Sequence, residues 1–469
     1  MKMKMPHVHG MAVLCLVAFV FVCSTSALFA APARDQKLVA EVQRDMLEGG
    51  PLAPLAPRHR PAAAASADLD AIVHEFASKQ GKRQGGGGGG VPSSLTPVVI
   101  VPSLIGSKLQ AQLNGYRSQH WYCFTEWREW FTIWANWNEF IPPFANCWYE
   151  QFALHLDQQR SGRSFNTPGV DIRYVDYGGV DGVAYLDDDH SVGIWNSTIY
   201  LLEALGWEVG KNLRGAPYDW RFGPETFAAQ DWPRLRALFE ETYALNNNSK
   251  VAAVSLSMGG PYFLAFLNQQ TQAWKDKYLH SFVSFDGAFG GSPSATSALI
   301  STSGWWSSKF ADAEAMRALV QSWPAIIYGD DYVWVSTTNP PKNYTTADFA
   351  QMLADSTGYN ASIVFRNLQA NNWLQFAAPG VESHCFFGTG VPTPLRSTFA
   401  TAAFDTPPVT VHGDGDGVVP EAGLRLLESW TGKQPQPIYS YPIPGLVHGG
   451  SVFNKQVLRM FLEILSSHP

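Results

Sequence analysis

Four short strand-like runs recur along the chain, and each stops at a glycine- or proline-rich turn. Val98–Val101 in "LTPVVIVPSLIGS" is a continuous apolar stretch bounded by prolines, the pattern of a strand buried on both faces. "KVAAVSLSMGG" repeats the form, and "HSFVSFDGAFGG" and "TPPVTVHGDGDG" are further strands that end in tight turns. Between them the period changes. "WPRLRALFEETYAL" puts Leu235, Leu238, Phe239 and Tyr243 on one helical face, and the helix-like "PYFLAFLNQQ" opens directly after the second run. The last segment, "SVFNKQVLRMFLEILSS", carries Phe453, Val457, Met460, Phe461 and Ile464 at helical spacing and is expected to pack on the sheet as the closing helix. Strands alternating with helices predict an α/β fold, with a mostly parallel sheet and helices on both faces.

The first 94 residues follow other patterns. Lys2 and Lys4 precede an apolar run at residues 11–23 that is short for a membrane span, and "STSALFAA" offers small residues for cleavage after Ala27 or Ala30. Residues 1–30 are expected to be a signal peptide, with an uncleaved signal anchor as the rival. Residues 31–94 are expected to be a low-complexity, poorly ordered pre-domain or propeptide ending in a glycine linker, from "PLAPLAPRHRPAAAAS" and the six glycines at 85–90. Two stretches within it have helical spacing: Leu38, Val39, Val42 and Met46, then Leu69, Ile72, Val73 and Phe76. Lys82 and Arg83 form either a processing site or a solvated charge pair. The catalytic domain is then expected to span 95–469.

A secretory route is the expectation, ending outside the cell or in a lysosome- or vacuole-like lumen, where disulfides form. Asn-x-Ser/Thr sequons at Asn196, Asn247, Asn343 and Asn360 agree with that route, although such tripeptides also arise by chance. The net charge of −7 over 469 residues, with no basic stripe, argues against nucleic acid as a partner. No cluster of Cys and His has zinc spacing, so neither a metal nor another cofactor is expected.

"VSLSMGG" has the form of a nucleophile elbow: strand, tight turn bearing Ser257, then helix. The first glycine of G-x-S-x-G is replaced by Ser255, so on this stretch alone Ser257 is either a nucleophile or a plain turn serine. "VTVHGDGDGVVP" supplies Asp414 and Asp416 in a turn, and "YPIPGLVHGGSVF" supplies His448 in a loop before the last helix. The order Ser, Asp, His is that of serine hydrolases built on a parallel sheet. Taken singly, the aspartates are turn residues and the histidine a surface residue. An oxyanion hole would take one backbone N–H from Met258, after the nucleophile, and one from the first strand's exit loop, "VPSLIGS".

"VVIVPSLIGSKLQAQL", "CFTEWREWFTIWANWNEFIPPFANCW", "PGVDIRY", "GAPYDWRFGP", "VSLSMGG", "FGTGVPTP", "GDGDGVVP" and "GLVHGGSVF" occur in one order along the chain. In that order they resemble the lecithin:cholesterol acyltransferase family and its relatives, the lysosomal phospholipases A and their transacylases. The resemblance covers residues 95 to 469. It implies an α/β-hydrolase fold with a lid and membrane-contact region at about 117–160. It implies Ser257 as nucleophile, His448 as base, Asp416 rather than Asp414 as the acid, and the amides of Leu104 and Met258 as the oxyanion donors. It also implies a lid disulfide between Cys123 and Cys147. The partner position of a second disulfide holds Leu427, which leaves Cys385 as a buried free thiol. Three positions depart from the family's pattern: Ser255 replaces a glycine that members often lack, Leu256 a common histidine, and Val418 the usual threonine.

Six of the seventeen tryptophans, Trp121, Trp127, Trp130, Trp134, Trp137 and Trp148, crowd into residues 121–148. The cluster is either the core of a subdomain or a surface that meets lipid. The resemblance favours the second, with Trp134 and Trp148 as lid or substrate residues and Trp148 lining an acyl groove. "YDWR" (218–221) either supports the site or forms a structural ion pair. The function implied is a lipid acyl hydrolase and O-acyltransferase acting on glycerophospholipids at a membrane or lipid-particle surface, with water or a lipid alcohol as acceptor. Two other functions remain open at this point: a neutral-lipid or short-ester hydrolase, and an inactive lipid-binding protein.

Overall fold

The computed structural model describes residues 63–83, 95–136, 143–156, 164–300, 335–356, 359–373 and 375–466. Its centre is a six-stranded, all-parallel sheet. The strands are β1 (Val98–Val101), β2 (Leu213–Gly215), β3 (Val251–Leu256), β4 (Leu279–Phe285), β5 (Ser383–Thr389) and β6 (Ile438–Pro444), in the spatial order β6-β5-β4-β3-β1-β2. β1 and β3 are buried at every position, as their unbroken apolar runs require. The chain runs outward from β1 to β2 and then returns to β3 on the other side. The order thus reverses at the β1/β3 pair, and the crevice at the carboxyl ends of these two strands is where such sheets bind ligands.

Both faces of the sheet are covered. On β4, Phe282 meets Phe263 of the helix Gly259–Asn268 at 5.0 Å between ring centroids. Phe285, three residues on and pointing the other way, meets Phe461 of the closing helix Lys455–Ser466 at 5.5 Å. In that helix Val457, Phe461 and Ile464 are buried as their spacing predicts, whereas Phe453 lies before the helix and is exposed. The helix Trp232–Leu245 buries Leu235, Leu238 and Phe239.

Two expectations change. "TPPVTVHG" does form a strand, Val409–Gly413, but not in the central sheet. It pairs antiparallel with Thr393–Phe399 in a separate four-stranded sheet that also contains Val335–Thr338 and Pro341–Tyr344. Alternation in sequence identifies a strand but not its partner, and here Val409 and Val411 face solvent. The second change lies in the low-complexity segment. Ala63–Arg83 is a helix docked against the helices Asn196–Ala204 and Lys455–Ser466, not a poorly ordered stretch. Leu69, Ile72 and Phe76 are buried on its inner face. Around them, Asp68 pairs with Lys455 at 2.7 Å, Glu75 with Arg459 at 2.8 Å, and Asp70 accepts from Tyr200 Oη at 2.8 Å. The signal peptide, the first helical stretch at residues 38–46 and the glycine run lie outside the described residues.

The two ion pairs are exposed and each contributes within about 1 kcal/mol, so the apolar face holds this helix. Ile72→Ala is expected to lower the unfolding free energy by about 2–5 kcal/mol in chemical denaturation. Arg459→Ala is expected to change it by less than about 1 kcal/mol. Equal effects from the two substitutions would show that charge, not burial, docks the helix.

Candidate active site

β3 delivers Ser257 directly into a turn. Its φ is 53°, a left-handed conformation that costs a residue with a Cβ about 1–2 kcal/mol. Three backbone hydrogen bonds hold it there. The Ser257 amide donates to Phe285 O at 2.9 Å, and the Ser257 carbonyl accepts from Gly260 N at 2.9 Å and from Ala288 N at 3.2 Å. The helix Gly259–Asn268 follows at once. A Cβ on Gly259 would lie 2.5 Å from Pro102 O and 2.7 Å from Val101 O, so only glycine lets the exit loop of β1 approach the elbow this closely. Ser255 is fully buried, level with Val101 on β1 and Ser284 on β4, and its small side chain fits there.

The loop carrying His448 brings its ring to Ser257. His448 Nε2 is 2.8 Å from Ser257 Oγ, and His448 Nδ1 is 2.6 Å from Asp416 Oδ2. With the carboxylate ionised, Nδ1 carries the proton and Nε2 is left to accept from the serine hydroxyl. Asp416 is fully buried and secured at its other oxygen, where Oδ1 accepts from Val418 N at 3.0 Å and Val419 N at 2.8 Å. Its carbonyl also accepts from His448 N at 2.7 Å, so one residue grips both the backbone and the ring of the other. Val418 makes this contact through its amide, so its side chain takes no part in it.

Although Asp416 follows a strand of the outer sheet, it reaches the central one through a bridge to Val391, just beyond β5. Asp414 does not approach the imidazole, and its Oδ1 instead accepts from Gly390 N at 2.5 Å. Burial works against a charged imidazole. The Asp416 charge, the hydrogen bond to it and the Asp286 charge outweigh that effect and hold the His448 pKa above the ordinary histidine value.

Asp286 is the residue that sequence reasoning missed. It directly follows β4 in "SFDGAFGG", which reads as an ordinary strand-to-turn junction. Its carboxylate is fully buried and accepts from Gly449 N at 3.0 Å, Ser451 N at 3.3 Å and Ser451 Oγ at 2.9 Å. The only signal in the sequence is an aspartate directly after a mostly buried strand.

Leu104 lies half-buried in the turn that leaves β1, and Met258 is buried at the start of the helix after Ser257. The tryptophan-rich segment divides. Trp121 is 71% exposed, whereas Trp134 and Trp148 are almost fully buried. They join Phe152 and Trp220 in one aromatic cluster, with centroid separations from 4.8 Å (Trp148 to Phe152) to 6.2 Å (Trp134 to Trp148). Trp134 Nε1 donates to Ile105 O at 2.8 Å and Trp148 Nε1 to Ile133 O at 2.8 Å. The Trp148 ring lies within this cluster and its N–H is satisfied internally. Trp137 lies outside the described residues. Cys123 and Cys147 form a disulfide that ties this segment together, while Cys385 is free and buried.

"YDWR" is a brace rather than a reacting group. Tyr218 Oη donates to Pro102 O at 3.1 Å. Arg221 is fully buried and donates to Asp219 through Nε at 2.9 Å and Nη2 at 2.5 Å, to Phe152 O at 2.8 Å and to Asn166 Oδ1 at 2.8 Å.

Of the sequons, Asn247 and Asn343 are exposed. The Asn196 side chain is 8% exposed in the first turn of a helix. The side chain of Asn360 is not among those described. Among the described residues, no group of three or more His, Cys, Asp or Glu is placed to hold a metal ion, and no helix is long and apolar enough to cross a membrane.

Comparison with known proteins adds to this geometry. The phosphatidylcholine-sterol acyltransferase of Papio anubis is 32% identical over 380 residues, covering 79% of this chain and 84% of that protein. The lysosomal phospholipase A and acyltransferase of Bos taurus is 32% identical over 383 residues, covering 79% of this chain and 92% of that protein. Among solved structures, a chain of the Tle4-Tli4 complex aligns with a TM-score of 0.42 at 11% identity, covering 79% of this chain and 98% of that one. The family model for lecithin:cholesterol acyltransferase matches residues 130–378, more than half the chain, which therefore belongs to the lecithin:cholesterol acyltransferase family.

Proposed function

We propose that this protein is a phospholipid acyl hydrolase and O-acyltransferase that works through an acyl-enzyme on Ser257. The observation that carries the reading is the hydrogen-bonded chain from Ser257 Oγ through His448 to Asp416, at 2.8 Å and 2.6 Å. His448 Nε2 takes the hydroxyl proton as Ser257 Oγ attacks the ester carbonyl of a glycerophospholipid. The amides of Leu104 and Met258 receive the negative charge on the carbonyl oxygen. His448 then gives its proton to the departing lysophospholipid oxygen, and the acyl group stays on Ser257. Water or a lipid alcohol loses a proton to His448, attacks the acyl-enzyme and leaves as fatty acid or new ester while Ser257 regains its hydrogen. Asp416 holds the ring in the tautomer that each step needs.

The substrate class is supported by relatives named as acting on phosphatidylcholine and phospholipid, and by the exposed ring of Trp121 just before the disulfide-closed segment. Such a ring suits the boundary between lipid and water. A lumenal or extracellular site of action is supported by the N-terminal apolar segment and by the lysosomal relative. Asn247 and Asn343 are the sequons whose exposure suits glycosylation.

The direct test uses phosphatidylcholine liposomes with different acyl chains at the two positions, cholesterol or a long-chain alcohol present, and products resolved by mass. Free fatty acid and one lysolipid are expected, with ester of the alcohol as the transfer product, and Ser257→Ala is expected to abolish all of them. Turnover confined to short or neutral esters would replace the phospholipid reading. No turnover together with no phosphonate labelling of Ser257 would leave a lipid-binding protein.

Because His448 must be neutral to act as base and its pKa is raised, the acid limb of kcat/KM is expected above pH 6.5, the ordinary histidine value. A pH–rate profile checks this, and a limb below that value would contradict the charge arrangement. The oxyanion donors are backbone groups and cannot be removed by substitution, but Gly259→Ala would push the β1 exit loop away from the elbow. This variant is expected to lose about 10²–10³ in kcat with KM little changed.

A further inference from the structure

We propose that Asp286 is a positioning residue for this reaction, anchoring the loop that carries His448 and placing a second negative charge behind its imidazole. The proposal rests on the Ser257–His448–Asp416 reading. Three observations carry it. The first is backbone strain: Asp286 has φ 49°, left-handed at a residue with a Cβ, and its amide is held there by a bond to Phe386 O at 2.7 Å. Strain of this kind is kept where it positions a working group.

The second is where its bonds go. All three of its recorded side-chain partners, Gly449 N, Ser451 N and Ser451 Oγ, belong to the turn that immediately follows His448. Asp416 grips His448 from one element and Asp286 grips the next residues from another, so the ring is fixed from two sides.

The third is charge. The titratable groups that act on Asp286 are His448 and Asp416, and those that act on His448 are Asp416 and Asp286. With the imidazole neutral and Asp286 ionised, two buried carboxylates repel each other. Once His448 takes the serine proton, both face a cation. The arrangement is worse before proton transfer and better after it, which is the condition for lowering a barrier. The cost shows in the carboxyl itself. Burial pushes the Asp286 pKa up to about 7, with His448 opposing and Asp416 adding to the rise.

The test compares Asp286→Asn with Ser451→Ala in the full chain, reading kcat, KM, pH profile and thermal stability, with Ser257→Ala as control. An amide keeps the shape and the acceptor but not the charge. Asp286→Asn is expected to lose about a hundredfold in kcat with KM unchanged, and its acid limb is expected to move to lower pH. Its Tm at pH 8 is expected to be no lower than that of the parent. A carboxyl whose folded pKa is raised loses stabilisation as pH rises through that value, and the amide carries no such loss. Ser451→Ala, which removes one donor and no charge, is expected to lose about tenfold in kcat without moving the limb.

Parental kcat and pH profile in Asp286→Asn would overturn the proposal, as would a fall in Tm with turnover per folded molecule unchanged. Should Asp286→Asn not fold, parental kcat in Ser451→Ala would overturn it. Activity surviving in Ser257→Ala would remove the reading beneath it whatever Asp286 does.

Discussion

The left-handed backbone at Ser257 is the constraint on which the rest of the site depends. A serine does not adopt φ 53° unaided, and β3 could equally have run straight on into its helix. The turn holds because its amide and carbonyl are tied to the chain around β4, at Phe285 and Ala288, and because Gly259 lets Pro102 and Val101 come within a distance no Cβ would permit. The same close approach sets the β1 exit loop beside Ser257. One strained residue therefore fixes two things at once, the height of Oγ above the sheet and the place where an oxyanion would meet backbone amides. Three buried parallel strands are the frame that makes such strain affordable.

Local chemistry was legible in the sequence, and long-range placement was not. Ser257 could be found because strand, turn and helix are consecutive, and His448 because it precedes the last amphipathic helix. Asp416 needed more, since Asp414 has the same neighbours, and only the three-dimensional course of the turn sends one carboxylate to the imidazole and the other to Gly390. Asp286 was hidden for a stronger reason. Its partners, Gly449 and Ser451, lie more than 160 residues away, and no periodicity announces such a contact. The outer-sheet strand Val409–Gly413 teaches the same limit, because alternation says that a segment is a strand and says nothing about which sheet receives it. For the helix Ala63–Arg83, proline- and alanine-rich surroundings suggested linker, but Leu69, Ile72 and Phe76 had a complementary face waiting, and burial decided the outcome.

In the aromatic segment, composition marks a region without saying which rings are buried and which are exposed. Tryptophan is both the residue that suits a lipid boundary and one of the largest core fillers, so density alone cannot assign individual rings. Hydrogen bonding separates them. Trp134 and Trp148 give their N–H groups to Ile105 and Ile133 carbonyls and so belong inside, while Trp121 projects.

The buried rings also help to hold the loop that leaves β1. Trp134 bonds to Ile105 and Tyr218 bonds to Pro102, both in the loop that follows β1. Arg221 ties the same brace to Phe152 and Asn166, beside the disulfide-closed segment. The loop after β1 is thus bonded to the aromatic core rather than to the sheet alone. Packed cores of this density transmit displacement instead of absorbing it. A displacement within that core has a packed, hydrogen-bonded route to the loop that carries Leu104.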